Sequence, residues 1–240
     1  MGAQWKHSGK MDAANRKGKI VGKLVKEIMV ATKMGGTDPG GNARLRAALE
    51  EARKNSVTKD AIERAIKRGS GQTDDNINYS TLTYEGFAPH QVPVIVECLT
   101  ENNNRTAGDI RVLFRKGQLG SSGSVAWMFD RLGIVEATIS KSSVDIEEAA
   151  IESGAQNVEA MDAEDVPEGT TGAIFYAETS DLDAVNKSLT EKGWMVSKAE
   201  LGYLAKNMVD LSADARKEVE QFLGDINDYD DVHRVYTAIK

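Results

Sequence analysis

Cysteine is almost absent from these 240 residues. A lone Cys98 excludes an internal disulfide and any Cys-rich zinc site, and it fits a reducing compartment. Histidine is nearly as scarce. His7, His90 and His233 are widely spaced, and none has a Cys or another His nearby. Neither H-E-x-x-H nor C-x-x-C occurs, so no metal site is expected. No stretch approaches the roughly eighteen apolar residues that a membrane span requires. The start, MGAQWKHSGKMDAANRKGK, has no uninterrupted apolar core of the secretory-signal kind, so a cytoplasmic protein is expected. What is present is ordinary globular material: 40% hydrophobic and 28% charged residues. The length exceeds one compact core and implies roughly two or three domains.

The net charge of −7 conceals an asymmetry. Residues 1–72 carry sixteen Lys and Arg against seven Asp and Glu, a net of +9. The remainder carries fourteen against thirty, a net of −16. A basic module on an acidic body points to a polyanionic partner for the module. Solvated Lys and Arg on helix surfaces are the plainer explanation.

The first seventy residues read as three helices. Between Asp12 and Met34, Ile20, Leu24 and Ile28 recur every four residues, and Val21, Val25 and Met29 follow one step behind. Gly35-Gly36 ends this helix. Asn42 and Thr58 stand as N-caps of two more. GSGQTDDNIN, residues 69–78, has linker composition. TLTYEGF and VPVIVECL read as strands, Asn104 to Lys116 as a helix, and SVAWMF as a third strand. From Gly133 the predicted order is strand (GIVEATI), helix (Val144 to Ser153, with Ile146, Ala149, Ala150 and Ile151 buried), strand (NVEAM), strand (AIFYAE), helix (Asp181 to Lys192) and strand (WMVSKAEL). This is the βαββαβ order of a ferredoxin-like sandwich. A last helix from Ser212 and a strand, VHRVYTAI, have no partner nearby in sequence. A lone strand is unstable, so residues 204–240 are expected to return to the 79–131 segment. The expected class is α+β: a basic helical domain over 1–72, a discontinuous α+β domain over 79–131 plus 204–240, and a ferredoxin-like domain over 133–203 inserted into it.

Catalytic chemistry is poorly represented. Cys98 lies in an apolar run and reads as a core thiol. The Gly/Ser-rich GQLGSSGSV, residues 117–125, offers backbone N–H groups to a phosphate, but it follows a helix and lacks the Walker lysine. A tight turn is the better reading. Paired acids such as Glu147-Glu148 and Asp230-Asp231 read as solvated surface, and NDYDD lacks the Gly and terminal Glu of an EF-hand loop. No cofactor, metal or catalytic residue is expected.

The strongest constellation is the first helix. At about 100° per residue, Arg16, Lys19, Lys23, Lys26 and Lys33 fall within one arc of roughly 100°, opposite the apolar residues. The expected result is one packed face and one cationic stripe. An arm with Trp5, Lys6, His7 and Lys10 precedes it. Lysines and arginines pair with phosphates, and Trp5 or His7 is suited to stacking on a base.

These segments carry a family resemblance. WKHSGKMDAANRKGKIVGKLVKEI, GGTDPGGNARLRAAL, AIERAIKRG, YEGFAPHQVPVIVECLTENNNRTAGDIR, GSVAWMF and DDVHRVYTAI resemble the YebC/PmpR family over residues 2–239. That family includes a mitochondrial translational activator of a cytochrome oxidase subunit. The resemblance implies a helical N-terminal domain, two α+β domains and no enzymatic activity. It also implies regulation, through DNA as a probable transcriptional regulator or, in some members, as a ribosome-associated translation factor. This chain departs at its start, where GAQWKH is shorter than the GHSKW arm and following segment of many members.

The expected function is therefore nucleic-acid binding without catalysis. Lys6, His7 and Lys10 serve as arm contacts, and Arg16, Lys19, Lys23, Lys26 and Lys33 as phosphate contacts. Transcriptional regulation on DNA is the first reading, and a ribosome-associated translation factor binding ribosomal RNA is the alternative. An enzyme acting on a phosphorylated ligand is a distant third reading.

Overall fold

The computed structural model describes residues 13–72, 79–140, 144–162 and 166–239, without the side chains of residues 13–16 and 43. The described part of the chain forms two compact units. The first takes helix α1 (Ala13–Gly35) as far as Lys26, then the chain from Gly71 to Asp130 and from Leu204 onward. The second takes the rest of α1 through Ser70, and Arg131 to Tyr203.

The first unit is built on an antiparallel sheet. Strands β1 (Ser80–Ala88) and β2 (Val92–Thr100) form a hairpin, with Ser80 opposite Thr100 and Ala88 opposite Val92. The short β3 (Gln118–Leu119) flanks β1, and the final strand β8 (Val232–Thr237) flanks β2, giving the order β3-β1-β2-β8. Helices α4 (Asn103–Leu113) and α7 (Ala213–Asn227) supply the remaining core. On α7, Val219, Phe222, Leu223 and Ile226 recur at helical spacing and are fully buried with Val92, Val94, Val96, Ile110 and Phe114. The rings of Phe114 and Phe222 meet edge to face at 5.4 Å. Cys98 is buried in this core, as its apolar run predicts, and burial first, then the Asp231 charge, pushes its thiol up to about 12.

In the second unit, α2 (Ala43–Lys54) and α3 (Lys59–Gly69) begin at the expected caps. The Asn42 side chain accepts from Leu45 N–H at 3.0 Å and donates to the Ala31 carbonyl at 2.8 Å, tying the start of α2 to α1. Gly36 adopts φ +86°, the left-handed conformation that ends α1. The ferredoxin-like part follows: β4 (Phe129–Ile139), α5 (Ile146–Ser153), β5 (Asn157–Ala160), β6 (Thr171–Ala177), α6 (Leu182–Glu191) and β7 (Met195–Ala205). Their sheet order is β5-β6-β4-β7, the arrangement of a split βαβ sandwich. Phe175 and Trp194 anchor its core edge to face at 5.1 Å. Among the described residues, no helix is long and apolar enough to cross a membrane.

Three expectations need correction. SVAWMF is not a strand: Ala126–Met128 form a 3-10 turn, and β4 starts at Phe129 and runs unbroken past Gly133. The cause is Glu85, described below. Ile151 is 80% exposed rather than buried, because α5 turns Ala149, Ala150 and Ser153 inward and leaves Ile151 on the opposite side. Ile20 is 42% exposed, so the apolar face of α1 is sealed only toward Ile28. Residues 73–78 of the expected linker lie outside the described residues.

Leu223 is fully buried between α7 and the first sheet. Leu223→Ala is expected to lower stability by about 2–5 kcal/mol, read from the urea midpoint.

Candidate nucleic-acid interface

Lys6, His7 and Lys10 lie outside the described residues, as does the side chain of Arg16. The remaining expected contacts sit on α1, and the fold divides them. Lys33 is exposed in the last turn. Lys19, Lys23 and Lys26 do not form an open stripe. All three reach the turn between α7 and β8. Lys19 pairs with Asp228 at 3.7 Å. Lys23 donates to the Asn227 carbonyl. Lys26 donates to the Asp230 carbonyl at 2.9 Å and to Asp231 Oδ1 at 3.0 Å. The helical wheel places these lysines on one side correctly, but the acidic turn that covers that side comes from some two hundred residues downstream.

Asp231 is the centre of this arrangement. It is only 4% exposed. Its carboxylate accepts from Lys26, from Arg105 Nη2 at 2.9 Å, from Thr106 Oγ1 at 2.9 Å, from Thr100 Oγ1 at 3.2 Å and from the Tyr229 hydroxyl at 3.2 Å. Its backbone carbonyl accepts from Leu99 N–H at 2.8 Å, continuing the sheet. Burial alone raises the carboxyl, but the hydrogen bonds from Arg105, Lys26 and Thr106, with the Lys26 charge, override it and hold the group at about 2. The single Tyr229 hydroxyl proton is shared between Asp231 and the nearer Asp109, at 2.6 Å, and the hydroxyl is shifted upward by burial first and then by the bond to Asp109. Asp230-Asp231 is thus not simply solvated surface, since Asp231 is buried.

A second carboxylate explains the glycine-serine loop. Glu85, on β1, is buried and accepts from the backbone N–H groups of Gly123 at 2.7 Å, Val125 at 2.9 Å and Ala126 at 2.8 Å. Burial raises this group, and the three bonds outweigh it and lower its proton affinity. The loop does cradle an anion, but the anion is the chain's own. The N–H groups that aim at Glu85 are withdrawn from any strand ladder, which is why SVAWMF turns. The same loop presents Trp127, 66% exposed, with its Nε1 donating to the Ser124 carbonyl at 3.2 Å.

In the second unit, Arg44 forms a two-pronged pair with Glu27, Nε to Oε1 at 2.6 Å and Nη2 to Oε2 at 3.0 Å. This commits one basic residue of α2 to structure. Arg53, Lys54, Lys59, Arg64, Lys67 and Arg68 face solvent on α2 and α3. Among the described residues, no group of three His, Cys, Asp or Glu side chains is placed to hold a metal ion.

The basic N-terminal segment and the two-sheet remainder correspond to separate family descriptions. Residues 2–72 match the TACO1/YebC protein N-terminal domain, and residues 79–239 match the TACO1/YebC second and third domain. The chain belongs to the TACO1/YebC family. Relatives in that family span its full length. A protein of Pseudomonas syringae pv. tomato is 52% identical over 240 residues, covering 100% of this chain and 99% of its own length. One from Bdellovibrio bacteriovorus is 51% identical over 241 residues, covering 100% of both. Both are named probable transcriptional regulatory proteins, a regulator's name and not an enzyme's. A crystal structure of a conserved hypothetical protein from Aquifex aeolicus has a TM-score of 0.80 at 35% identity, covering 99% of this chain and 96% of that one.

Sequence reasoning missed Asp231, Arg105, Thr106 and Glu85. The available signal was their position inside the TACO1/YebC motifs NNNRT, DDVH and YEGF, where polar residues interrupt or border apolar strands.

Because the folded Asp231 binds its proton more weakly than the unfolded chain does, its stabilisation is complete above about pH 4 and is lost as the pH falls through about 2. Discounted for screening, this group is expected to contribute roughly 1–2 kcal/mol to the acid loss of stability. Urea titrations from pH 6 to pH 2 check it, and Asp231→Asn is expected to flatten that slope while lowering stability at neutral pH.

Proposed function

We propose that this protein is a non-enzymatic, cytoplasmic regulator that binds nucleic acid through its basic N-terminal segment, and that its role is transcriptional regulation on DNA. The observation that carries this reading is the charge division: +9 over residues 1–72 against −16 over the rest. A polyanion is drawn to the first part and repelled by the second. The names of the full-length relatives point the same way. The contacts assigned are Lys6, His7 and Lys10 on the arm, and Arg16, Lys19, Lys23 and Lys33 on α1. Lys26 belongs to the same arc, but its bond to a buried carboxylate makes it the supporting member of the group. The three-domain division, with boundaries at 1–72, 79–131 plus 204–240, and 133–203, is part of this reading.

A second reading has its own support. The side chains on the α1 stripe are almost all lysines, which act as point charges on phosphates and do not read base edges in the bidentate way of Arg, Asn or Gln. That chemistry suits binding by shape and charge, as to structured ribosomal RNA in a ribosome-associated translation factor. Crosslinking in cells followed by sequencing of the bound nucleic acid separates the two: promoter DNA supports the first, ribosomal RNA the second.

Neutralising two contacts together, Lys19→Gln with Lys33→Gln, is expected to weaken binding and flatten the log–log salt dependence by roughly 1.4–1.8 units, between the single-strand and duplex slopes. Fluorescence anisotropy across a salt series measures it. An unchanged slope places the binding surface elsewhere.

A further inference from the structure

We propose that the α7–β8 turn is a built-in competitor of nucleic-acid phosphates, with Asp228 holding Lys19 and the Asn227 carbonyl holding Lys23 until a polyanion takes them. This rests on the reading of α1 as the nucleic-acid surface, and it adds how that surface is regulated.

The contact has the form of the expected complex. Lysine ammonium groups on successive turns of α1 meet a short run of oxygen acceptors: the Asp228 carboxylate, two backbone carbonyls and the Asp231 carboxylate. A phosphate backbone presents the same chemistry, anionic oxygens at repeated intervals. The two ends of the contact differ in strength. Lys26 faces a carboxylate that is 4% exposed and held by four other side-chain donors, so its withdrawal would leave a buried charge short of a partner. It anchors the turn. Lys19 and Asp228 are each about one-third exposed, and their 3.7 Å pair is weak and screened by salt. It is the end that yields. A single small anion gains little by displacing Asp228, whereas a polymer engaging several lysines gains counterion release at each one. The turn thus favours dense polyanions over isolated phosphates.

The test uses the full chain and two probes, a fluorescein-labelled DNA duplex of random sequence and an RNA hairpin of matching length, in low-salt anisotropy titrations. Asp228→Asn is expected to raise affinity about two- to five-fold, the range that an exposed ion pair withholds. Lys19→Gln is expected to weaken binding, and Lys19→Gln combined with Asp228→Asn should abolish the gain. Asp214→Asn, in the first turn of α7 and paired with Lys217, controls for net charge and is expected to leave affinity unchanged. Thermal melting of each variant confirms the fold. If Lys19→Gln weakens binding while Asp228→Asn does not strengthen it, the competitor role falls and the α1 surface stands. An equal gain from Asp214→Asn also overturns the competitor role. If neither Lys19→Gln nor Asp228→Asn changes affinity, the α1 surface itself is wrong, and the proposal goes with it.

Discussion

A carboxylate excluded from water is tolerable only when its hydrogen-bonding capacity is met, and Asp231 meets this condition with groups from four places in the chain. Thr100 ends β2, Arg105 and Thr106 open α4, Tyr229 precedes Asp231 in the turn, and Lys26 comes from α1. Each donor is fixed by its own element, so satisfying the charge also fixes the register of β8 and the approach of α1. Removing one donor costs more than its bond, because the others then face a charge that is under-compensated. The first unit depends on this carboxylate in a way that its apolar core, with many interchangeable contacts, does not.

Lysines on α1 therefore serve two purposes that conflict. The fold uses Lys26 as a structural counter-ion, and the proposed function uses its neighbours as phosphate ligands. A helix face cannot be both fully neutralised internally and fully available to a partner. The gradation of burial from Lys26 to Lys19 resolves the conflict along the helix: rigid where the charge is enclosed, exchangeable where water reaches it.

Much of the architecture was legible because it is local or periodic. The caps at Asn42 and Thr58, the glycine stop at Gly36 and the βαββαβ order follow from residue spacing. The return of the last strand to the first sheet was legible by elimination, since it had no neighbour to pair with. Two of the failures share one cause. Glu85 and Asp231 act on groups far away in sequence, and nothing in the composition of SVAWMF or NDYDD announces a distant carboxylate that bends the one or a distant lysine that covers the other. Ile151 failed differently: a short helix has too few apolar positions to fix its own rotation. Of the expected site, the clustering of the α1 lysines was readable, and their internal partners were not.

The discontinuous first sheet imposes an order of events on synthesis. β2 pairs on one side with β1 across a short hairpin turn, from Ala88 opposite Val92 to Ser80 opposite Thr100, and on the other with β8, where Tyr236 and Glu97 are 139 positions apart. All four strands of the ferredoxin-like sheet are synthesised before β8. Until β8 emerges, the outer edge of β2, a mostly apolar strand, lacks that partner, and unpaired apolar edges invite pairing with other chains. Loop closure over such a span is also slow. The nascent chain thus passes through a stage in which every strand of one sheet has been made while the other still lacks the strand that closes it.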